Sequence, residues 1–298
     1  MILYFVTCSL IWGLTWIAIK FQLHALDSNV AVFYRFLLAS FLLFAWAVFK
    51  RVPLRFERSA HLRFLSQGFF MFCLNFLLTY WASHMAPSAL VALAFTSLIY
   101  FNMFFGRLFL NIPFERKVIF GALISFLGMG IFSYNELQQI QIHPGYLVGF
   151  FISLVATVSA SFGNIISARS RQQKVPILAN NAWSMLYGCG LTLIYCLSMQ
   201  KSFHVNLDLD FVLSFSYLVI FGTIISFGAY LKLIDLVGPA KAAFTSVVSP
   251  VIAILMSVLF EKMVFDRLLF IGVLCCLVGN MIALVPKSWI LGKFRNAY

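Results

Sequence analysis

Charged side chains are scarce in this sequence of 298 residues. Asp, Glu, Lys and Arg make up 10% of the chain, whereas an ordinary soluble domain contains about 25%. So few charges cannot cover the surface of a soluble fold of this length. Hydrophobic residues account for 62% of the chain and include 35 Phe, which also excludes a disordered protein. The composition therefore predicts a polytopic membrane protein whose surface partner is the lipid bilayer.

Motifs of enzymes and metal sites are missing as well. The six Cys residues lie inside apolar runs and form no CxxC pair, and the five His residues lack the spacing of metal ligands. No Gly-rich phosphate-binding loop precedes a predicted helix. We therefore predict no catalytic site, no metal and no cofactor, and we exclude an ATP-driven pump for this chain alone. A channel is disfavoured, since the sequence contains no filter-like segment or repeated charged constriction.

Long apolar runs dominate what is present. A helix needs about 20 mostly apolar residues to cross a bilayer. The first run, from Met1 to Ile19, has no basic segment or cleavage site, so we interpret it as a membrane span and not a signal peptide. We predict an all-α polytopic membrane protein with ten transmembrane helices at roughly 2–20, 30–49, 63–83, 88–110, 117–134, 146–168, 177–199, 211–233, 240–260 and 268–286.

Basic residues are distributed unevenly between the predicted loops. The net charge of +12 comes from small clusters between apolar runs, which favours membrane orientation over nucleic-acid binding. Lys20, Lys201, Lys262 and Arg267 fall on one side, and Arg35 lies inside a span. The other side, which includes both termini, has the remaining 16 of 21: Lys50, Arg51, Arg55, Arg58, Arg63, Arg107, Arg116, Lys117, Arg169, Arg171, Lys174, Lys232, Lys241, Lys287, Lys293 and Arg295. Because cytoplasmic loops are rich in Lys and Arg, we predict cytoplasmic termini in an inner (cell) membrane.

The two halves of the chain resemble each other. The tetrapeptide at 94–97, Ala-Phe-Thr-Ser, recurs at 243–246, and the segment 121–128 corresponds to 272–279. Tyr80 and Pro87 likewise have counterparts in Tyr230 and Pro239. We interpret the chain as two five-helix repeats, 1–145 and 146–298. Because five is odd, the second repeat must be inverted in the membrane, an architecture typical of transporters with a central site.

Short motifs also follow a recognisable order. They are Trp12-Gly13 with Lys20 in the first span, Arg35-Phe36 in the second, Ser249-Pro250 followed by Glu261 in the ninth, and the helix from Gly272 to Gly279. Over nearly the whole chain, this order resembles EamA-type members of the drug/metabolite transporter (DMT) superfamily. The resemblance implies a ten-helix basket around a central cavity, often exporting amino acids or related metabolites.

Two positions depart from the family pattern. The fourth span has no Pro near Tyr100, where the ninth has Pro250, and Asn111 stands about where Glu261 would map. A Pro inside a helix removes a backbone hydrogen bond and favours a kink. We therefore expect the fourth helix to be straighter than the ninth, with a different gate.

Polar residues inside the predicted spans are the candidates for a substrate site, because polar groups in hydrocarbon are expected to face the bundle interior. Four polar residues of the sixth span share one helical face: Ser153, Thr157, Ser161 and Asn164. This pattern is typical of either helix packing or cavity lining. The two Trp residues of the first span form either a cavity wall or a lipid-facing anchor. The predicted substrate-binding set is Trp12, Trp16, Asn75, Thr79, Asn102, Ser161, Asn164, Ser226, Tyr230 and Ser246, with Gly13 and Pro250 as a gate or kink.

Arg35 is the basic residue that lies well inside a predicted span. It either extends to the outer headgroups or binds an anionic group of a solute. No Asp or Glu lies in the middle of any predicted span. Coupling to protons through a membrane carboxylate is therefore disfavoured, although His84 or Glu261 could still titrate at the outer rim.

Together these patterns predict a monomeric secondary transporter that moves a small organic metabolite by alternating access or facilitated exchange, with export favoured. Two alternatives stay open. One is an importer of a nucleotide-like cofactor or metabolite, and the other is a non-transporting membrane scaffold or lipid-modifying partner. A polar, water-accessible cavity would distinguish a transporter from a scaffold.

Reporter fusions test the predicted orientation. A reporter fused at Tyr298 should report the cytoplasm, and one inserted in the 135–145 loop should report the opposite side, because of the uneven basic residues. Reports from the same side at both positions would contradict ten spans with cytoplasmic termini.

Overall fold

The computed structural model describes residues 1–22, 26–86, 88–132, 134, 144–205, 207–260 and 267–284, and these residues form helices and turns without a strand. We number the helices in chain order and treat consecutive helical segments of one rod as one helix. They are α1 (Ile2–Gln22), α2 (Ser28–Phe49), α3 (Arg58–Met85), α4 (Ser88–Thr96 and Leu98–Leu110), α5 (Arg116–Phe132), α6 (Pro144–Gln172), α7 (Ile177–Ser198), α8 (Leu209–Val237), α9 (Pro239–Ala242 and Thr245–Phe260) and α10 (Arg267–Leu284).

Local sequence signals begin and end several of these helices. The carboxylate of Asp27 accepts a hydrogen bond from the backbone N–H of Asn29 at 2.9 Å and caps α2. Asp208 caps α8 in the same way at 2.7 Å. α4 ends where Asn111 adopts a left-handed conformation with φ of 54°, and α8 ends at Gly238 with φ of 83°. Polar caps and left-handed residues thus lie where the apolar runs stop.

Five helices of the described residues are long and apolar enough, by length and composition, to cross a membrane: Ser28–Phe49, Arg58–Met85, Leu93–Leu110, Gly145–Gln172 and Leu209–Val237. Two shorter apolar helices are Ile2–Thr15 and Phe270–Leu284. Large apolar side chains cover the outside, among them Phe41 and Ile194, which are 70% and 65% exposed. Such an apolar surface on an all-helical protein is suited to lipid contact. The count of ten crossings stays a prediction.

π-helical segments interrupt α3 and α8 at corresponding places in the two halves. They are Gly68–Leu74 and Ile220–Ile225. A π-helical turn shifts backbone hydrogen bonds to the carbonyl five residues earlier. In α8 the hydroxyls follow this shift, since Thr223 donates to the carbonyl of Leu218 and Ser226 to that of Phe221, both at 2.8 Å.

α4 and α9 are both interrupted at the repeated tetrapeptide. Their hydroxyls donate to carbonyls three residues earlier: Thr96 to Leu93 at 2.6 Å, Ser97 to Ala94 at 2.5 Å, Thr245 to Ala242 at 2.9 Å and Ser246 to Ala243 at 2.6 Å. Such bonds compete with the regular helix. The fourth helix is thus interrupted as the ninth is, and the expectation that it is straighter stays a prediction. α4 breaks at Ser97 without a Pro, and Pro250 lies beyond the break in α9.

The two halves of the chain pack against each other in a matching pattern. α1 contacts α8 and α9 of the second half, and α6 contacts α3 and α4 of the first half. α2 contacts α7, and α5 contacts α10. Each of these contacts joins helices from different halves, so polar side chains from both halves meet in the interior.

The α5–α10 contact is self-complementary. Ser125 Oγ donates to the carbonyl of Cys276, and Cys276 Sγ donates to the carbonyl of Ser125, both at 3.5 Å. A Cβ atom added to Gly121 would lie 2.5 Å from the carbonyl oxygen of Gly279, so the backbones are nearly in contact. Corresponding residues of the two halves therefore make reciprocal contacts, as in an isologous dimer interface.

A Gly128→Ala variant tests this close contact. An added Cβ would lie 2.7 Å from the carbonyl oxygen of Gly272 and 2.8 Å from the Cβ of Cys275. We expect a lower midpoint of thermal unfolding in detergent, because overpacking of this kind costs about 1–3 kcal/mol. Gly130→Ala is the matched control, since nothing lies within 4 Å of its added Cβ, and Ala favours the helix. Equal midpoints for the two variants would contradict the contact.

Candidate functional site

Two amide and two hydroxyl side chains form a hydrogen-bonded cluster where α4, α6 and α8 meet. Ser161 Oγ donates to Asn102 Oδ1 at 2.7 Å, and Asn164 Nδ2 donates to Tyr230 Oη at 3.0 Å and to Asn102 Oδ1 at 3.4 Å. Asn102 Nδ2 donates to the carbonyl of Pro239, where α9 begins, at 2.9 Å. All four side chains are buried. We call Asn102, Ser161, Asn164 and Tyr230 the amide cluster.

The polar face of α6 has two parts. Ser153 and Thr157 are fully buried, and their hydroxyls donate to carbonyls four residues earlier, at 2.8 and 2.7 Å. Their hydrogen bonds thus stay within α6, as expected for packing residues. Ser161 and Asn164, further along the face, bond to other helices instead. Asn164 Oδ1 has no hydrogen-bond partner among the described residues, so it is an acceptor available to water or a solute.

Trp12 connects the amide cluster to α1. Its ring centroid lies 5.0 Å from that of Tyr230 and 5.4 Å from that of Phe227. Its indole Nε1 donates to the carbonyl of Gly222, in the π-helical segment of α8, at 3.3 Å. An indole paired in this way is turned toward the interior, so the alternative of a lipid-facing anchor is wrong for Trp12.

Arg35 also turns inward. Its residue surface is 5% exposed. Nε donates to Thr223 Oγ1 at 2.6 Å, and Nη2 donates to the carbonyl of Gly222 at 3.0 Å. The guanidinium carbon lies 5.7 Å from the ring centroid of Phe76 and 5.9 Å from that of Phe36. The alternative in which Arg35 extends to the headgroups is therefore wrong, because its donors are held by α8.

These groups form one continuous chain of contacts through the interior. Arg35 and Trp12 share the Gly222 carbonyl, Trp12 contacts Tyr230, and Tyr230 leads through the amide cluster to Asn102. We call this series, from Arg35 to Asn102, the contact chain. It involves α2, α1, α8, α6 and α4, so both halves of the protein contribute to it.

Ion pairs lie at the two ends of α8. Lys201 pairs with Asp27 at 3.0 Å, and Lys241 pairs with Glu115 at 2.6 Å. The 29 residues of α8 keep these pairs roughly 40 Å apart at 1.5 Å per residue. Burial raises the pKa of Asp27, but hydrogen bonds from Lys201 and Asn29 outweigh it, so that pKa lies below its ordinary value. The hydrogen bond to Asp27 raises the pKa of Lys201.

A cavity of about 40 Å³ lies at the Glu115 end of the bundle. Its lining includes Asn102, Pro239, Glu115 and Lys241. This volume holds water but is smaller than an amino acid. Asn102 belongs to both the amide cluster and the lining of this cavity, so the two are adjacent.

Four predicted site residues lie outside the contact chain. Asn75 Nδ2 and Thr79 Oγ1 donate to carbonyls one turn earlier in α3, at 3.4 and 2.7 Å, and Asn75 Oδ1 has no partner among the described residues. Ser226 donates within α8, and Ser246 donates both within α9 and across to the carbonyl of Phe95 in α4 at 3.2 Å.

The predicted gate lies at the α1–α9 crossing. A Cβ atom added to Gly13 would lie 2.6 Å from the side chain of Ile252 and 3.0 Å from the carbonyl oxygen of Ser249, next to the buried Pro250. The side chain of Trp16 lies outside the described residues.

A second polar group, between α3 and α7, is absent from the predicted site. Asn180 Nδ2 donates to Gln67 Oε1 at 3.0 Å. Asn181 and Ser184 are buried beside them, and their side-chain oxygens have no partner among the described residues. The adjacent pair Asn180-Asn181 in an apolar run was the signal in the sequence, since two amides in hydrocarbon need partners.

Known proteins resemble this chain over most of its length. The model of the EamA-like transporter family matches residues 1–134 and 147–285. A protein of Escherichia coli K12 named "Probable amino-acid metabolite efflux pump" is 23% identical over 94% of this chain and 93% of its own length. Its namesake from Salmonella typhimurium is 24% identical over 82% of this chain and 81% of its own.

Two further matches concern an uncharacterised relative and the fold. The "Uncharacterized inner membrane transporter YedA" of Escherichia coli K12 is 27% identical over 83% of this chain and 78% of its own length. A crystal structure of another protein superposes with a TM-score of 0.77 and 17% identity, covering 95% of this chain and 96% of its own. This likeness shows the fold alone.

Thiol accessibility tests whether the candidate site faces water. Single Cys residues replace Trp12, Asn75, Asn102, Asn164 or Tyr230 in a background without native Cys. We expect each to react with a water-soluble thiol reagent in membranes, because a solute path must hydrate during transport. Cys at Phe41, which is 70% exposed on the apolar outer surface, is the control and should stay unreactive. Equal protection at all five positions would favour packing.

Proposed function

The chain belongs to the EamA-like transporter family, and from this premise we propose that it is a secondary transporter of a small organic metabolite. The protein is a membrane transporter and not an enzyme. The observation that carries the proposal is the buried chain of polar contacts from Arg35 to Asn102, to which both halves contribute. Polar groups find no partners in hydrocarbon, so a continuous series of them favours the path of a polar solute.

The proposed architecture is ten membrane crossings in two inverted five-helix repeats, 1–145 and 146–298. Three repeated features support it. The interruptions of α4 and α9 use the same hydroxyl bonds, α3 and α8 have π-helical segments at matching places, and the α5–α10 contact is reciprocal. A two-fold axis between α5 and α10 would relate the two halves in this arrangement.

The proposed location is the inner membrane, with both termini cytoplasmic and the protein acting as a monomer. The uneven distribution of Lys and Arg supports this orientation, and one relative is named an inner membrane transporter. The Glu115 end of the bundle then faces the cytoplasm, and the Asp27 end faces outward.

The proposed substrate site is the amide cluster together with Trp12. The unpartnered Asn164 Oδ1 and the donors around it suit a polar solute, and the Trp12 and Tyr230 rings provide an apolar wall. Asn75, Thr79, Ser226 and Ser246 supply further polar contacts on neighbouring helices.

The proposed mechanism is alternating access, because each end of the bundle is closed by an ion pair that would have to open in turn. At the cytoplasmic end, a solute passes when Lys241 leaves Glu115 and the small cavity beside Asn102 widens. At the other end, Asp27 and Lys201 must separate. Both pairs are partly exposed and therefore hold the ends only weakly. The tight crossing of Gly13 with Ser249, beside Pro250, is the proposed gate.

The proposed substrate is an amino acid or a related metabolite, and the proposed direction is export. Two relatives named amino-acid metabolite efflux pumps support this choice. The transporter moves its solute by exchange or along its gradient, because no Asp or Glu lies in the middle of a predicted span to relay protons.

Transport in proteoliposomes tests the proposal. Purified protein is reconstituted with labelled amino acids and related metabolites, with imposed pH and voltage gradients. We expect at least one such solute to move down its gradient without a pH gradient, and an Asn164→Leu variant to lose that movement. Phe41→Leu, at the lipid-facing surface, is the control that should retain it.

Three outcomes would contradict parts of this proposal. Strict dependence on a proton gradient that survives neutralisation of both His84 and Glu261 would contradict the absence of proton coupling. Movement of nucleotide-like cofactors alone would favour an importer of such compounds. No movement of any solute by a folded protein would favour a scaffold.

A further inference from the structure

Arg35 is a buried cation without an acidic partner. No Asp or Glu of the described residues forms an ion pair with it. The nearest acidic residue along α2 is Asp27, about two turns away, and its carboxylate is engaged by Lys201. A buried charge is normally paired or bound to a ligand, because loss of water is costly. The charge of Arg35 is therefore left for something other than a side-chain carboxylate.

The guanidinium has donors to spare. An Arg side chain carries five N–H groups. The Nε hydrogen is bound by Thr223, and Nη2 donates to the Gly222 carbonyl. Nη1 has no acceptor among the described residues, since the hydrogen bonds of Arg35 there use Nε and Nη2. Nη1 therefore remains a donor that a solute could engage.

The surroundings fix the position of this free donor. Thr223 Oγ1 donates a hydrogen bond to the carbonyl of Leu218, five residues earlier in α8, and this bond fixes its position. A Cβ atom added to Gly222 would lie 3.2 Å from Nη2, so a Gly at this position lets the guanidinium approach the backbone. The rings of Phe36 and Phe76 lie against the guanidinium and keep the local dielectric low. A preorganised donor in such surroundings binds an anion more strongly than an exposed one does.

We propose that Arg35 binds the carboxylate of the transported solute. This inference rests on the proposed transport function and adds a substrate class, namely solutes with a single carboxylate. One guanidinium with part of its fork free matches a monoanion, whereas a phosphate dianion is usually bound by several cations. The carboxylate could belong to an amino acid or to a 2-oxo acid, since both present the same group.

A solute bound at Arg35 would extend from this residue toward the amide cluster. Arg35 and Trp12 donate to the same carbonyl, and Trp12 contacts Tyr230 of the amide cluster. A carboxylate on Nη1 thus places the rest of the solute beside the Trp12 ring and within reach of the cluster. This arrangement separates recognition of the acid group from recognition of the remainder.

The experiment compares acids with matched amides. The probes are alanine, methionine and phenylalanine, their three carboxamides, and the corresponding 2-oxo acids. Transport and competition are measured in proteoliposomes with the unmodified protein, Arg35→Met, Arg35→Lys and the control Arg107→Met, which removes an exposed charge near the end of α4. Thermal unfolding and elution profiles in detergent establish that each variant is folded.

The unmodified protein should accept acids and reject the matched amides by about tenfold or more, as expected for a charge-assisted hydrogen bond. Arg35→Met should abolish this preference, Arg35→Lys should keep it at weaker affinity, and Arg107→Met should leave it unchanged. A preference for amino acids over 2-oxo acids would identify an amino acid as the source of the carboxylate, and the reverse would identify a 2-oxo acid.

Two results would overturn the inference. One is equal acceptance of acids and amides by the unmodified protein. The other is an equal loss of acids and amides in Arg35→Met with the acid preference intact, which would make Arg35 a structural link between α2 and α8. Either result would leave the transport function standing. Conversely, binding of acids without transport would contradict the transport function and leave the Arg35 site standing.

Discussion

Polar groups inside a hydrocarbon layer must find their hydrogen-bond partners within the protein, because lipid tails offer none. Most features of this structure follow from that constraint. The hydroxyls of Ser153 and Thr157 return to their own helix, and those of the repeated tetrapeptides close the interruptions of α4 and α9. Other polar groups find partners on neighbouring helices, as Asn180 does on Gln67. The contact chain from Arg35 to Asn102 is the longest such series described above.

The fold was largely predictable because hydrophobic runs and their interruptions carry the information. The bounds of α2, predicted as 30–49 and observed as Ser28–Phe49, show how closely an apolar run can fix a helix. The repeated tetrapeptide and the segments 121–128 and 272–279 also predicted structural correspondence, since their counterparts make the same bonds. The family resemblance is confirmed by a match that covers most of the chain.

The site was less predictable, because a sequence shows which groups are polar but not which helices they reach. Asn102, Ser161, Asn164 and Tyr230 meet in one cluster, yet Asn75 and Thr79 bond along their own helix. The π-helical segments of α3 and α8 have no clear signal in the sequence. The Gly222 carbonyl lies in one of them and accepts hydrogen bonds from Arg35 and Trp12. The break of α4 at Ser97 involves hydroxyl side chains and no Pro, so the absence of a Pro from this span gave no indication of it.

The burial of Arg35 has an electrical consequence. A cation in the membrane interior feels part of the transmembrane voltage, worth roughly 2.3 kcal/mol per elementary charge per 100 mV across the whole field. A carrier that binds a 2-oxo acid at this residue is locally neutral when loaded and positive when empty, whereas a zwitterionic amino acid leaves the net positive charge in place. With a 2-oxo acid, reorientation of the loaded form would be insensitive to voltage, whereas return of the empty form would be driven toward the negative side. With a negative cytoplasm, the resting voltage would turn the empty site inward and so present it to solute inside the cell.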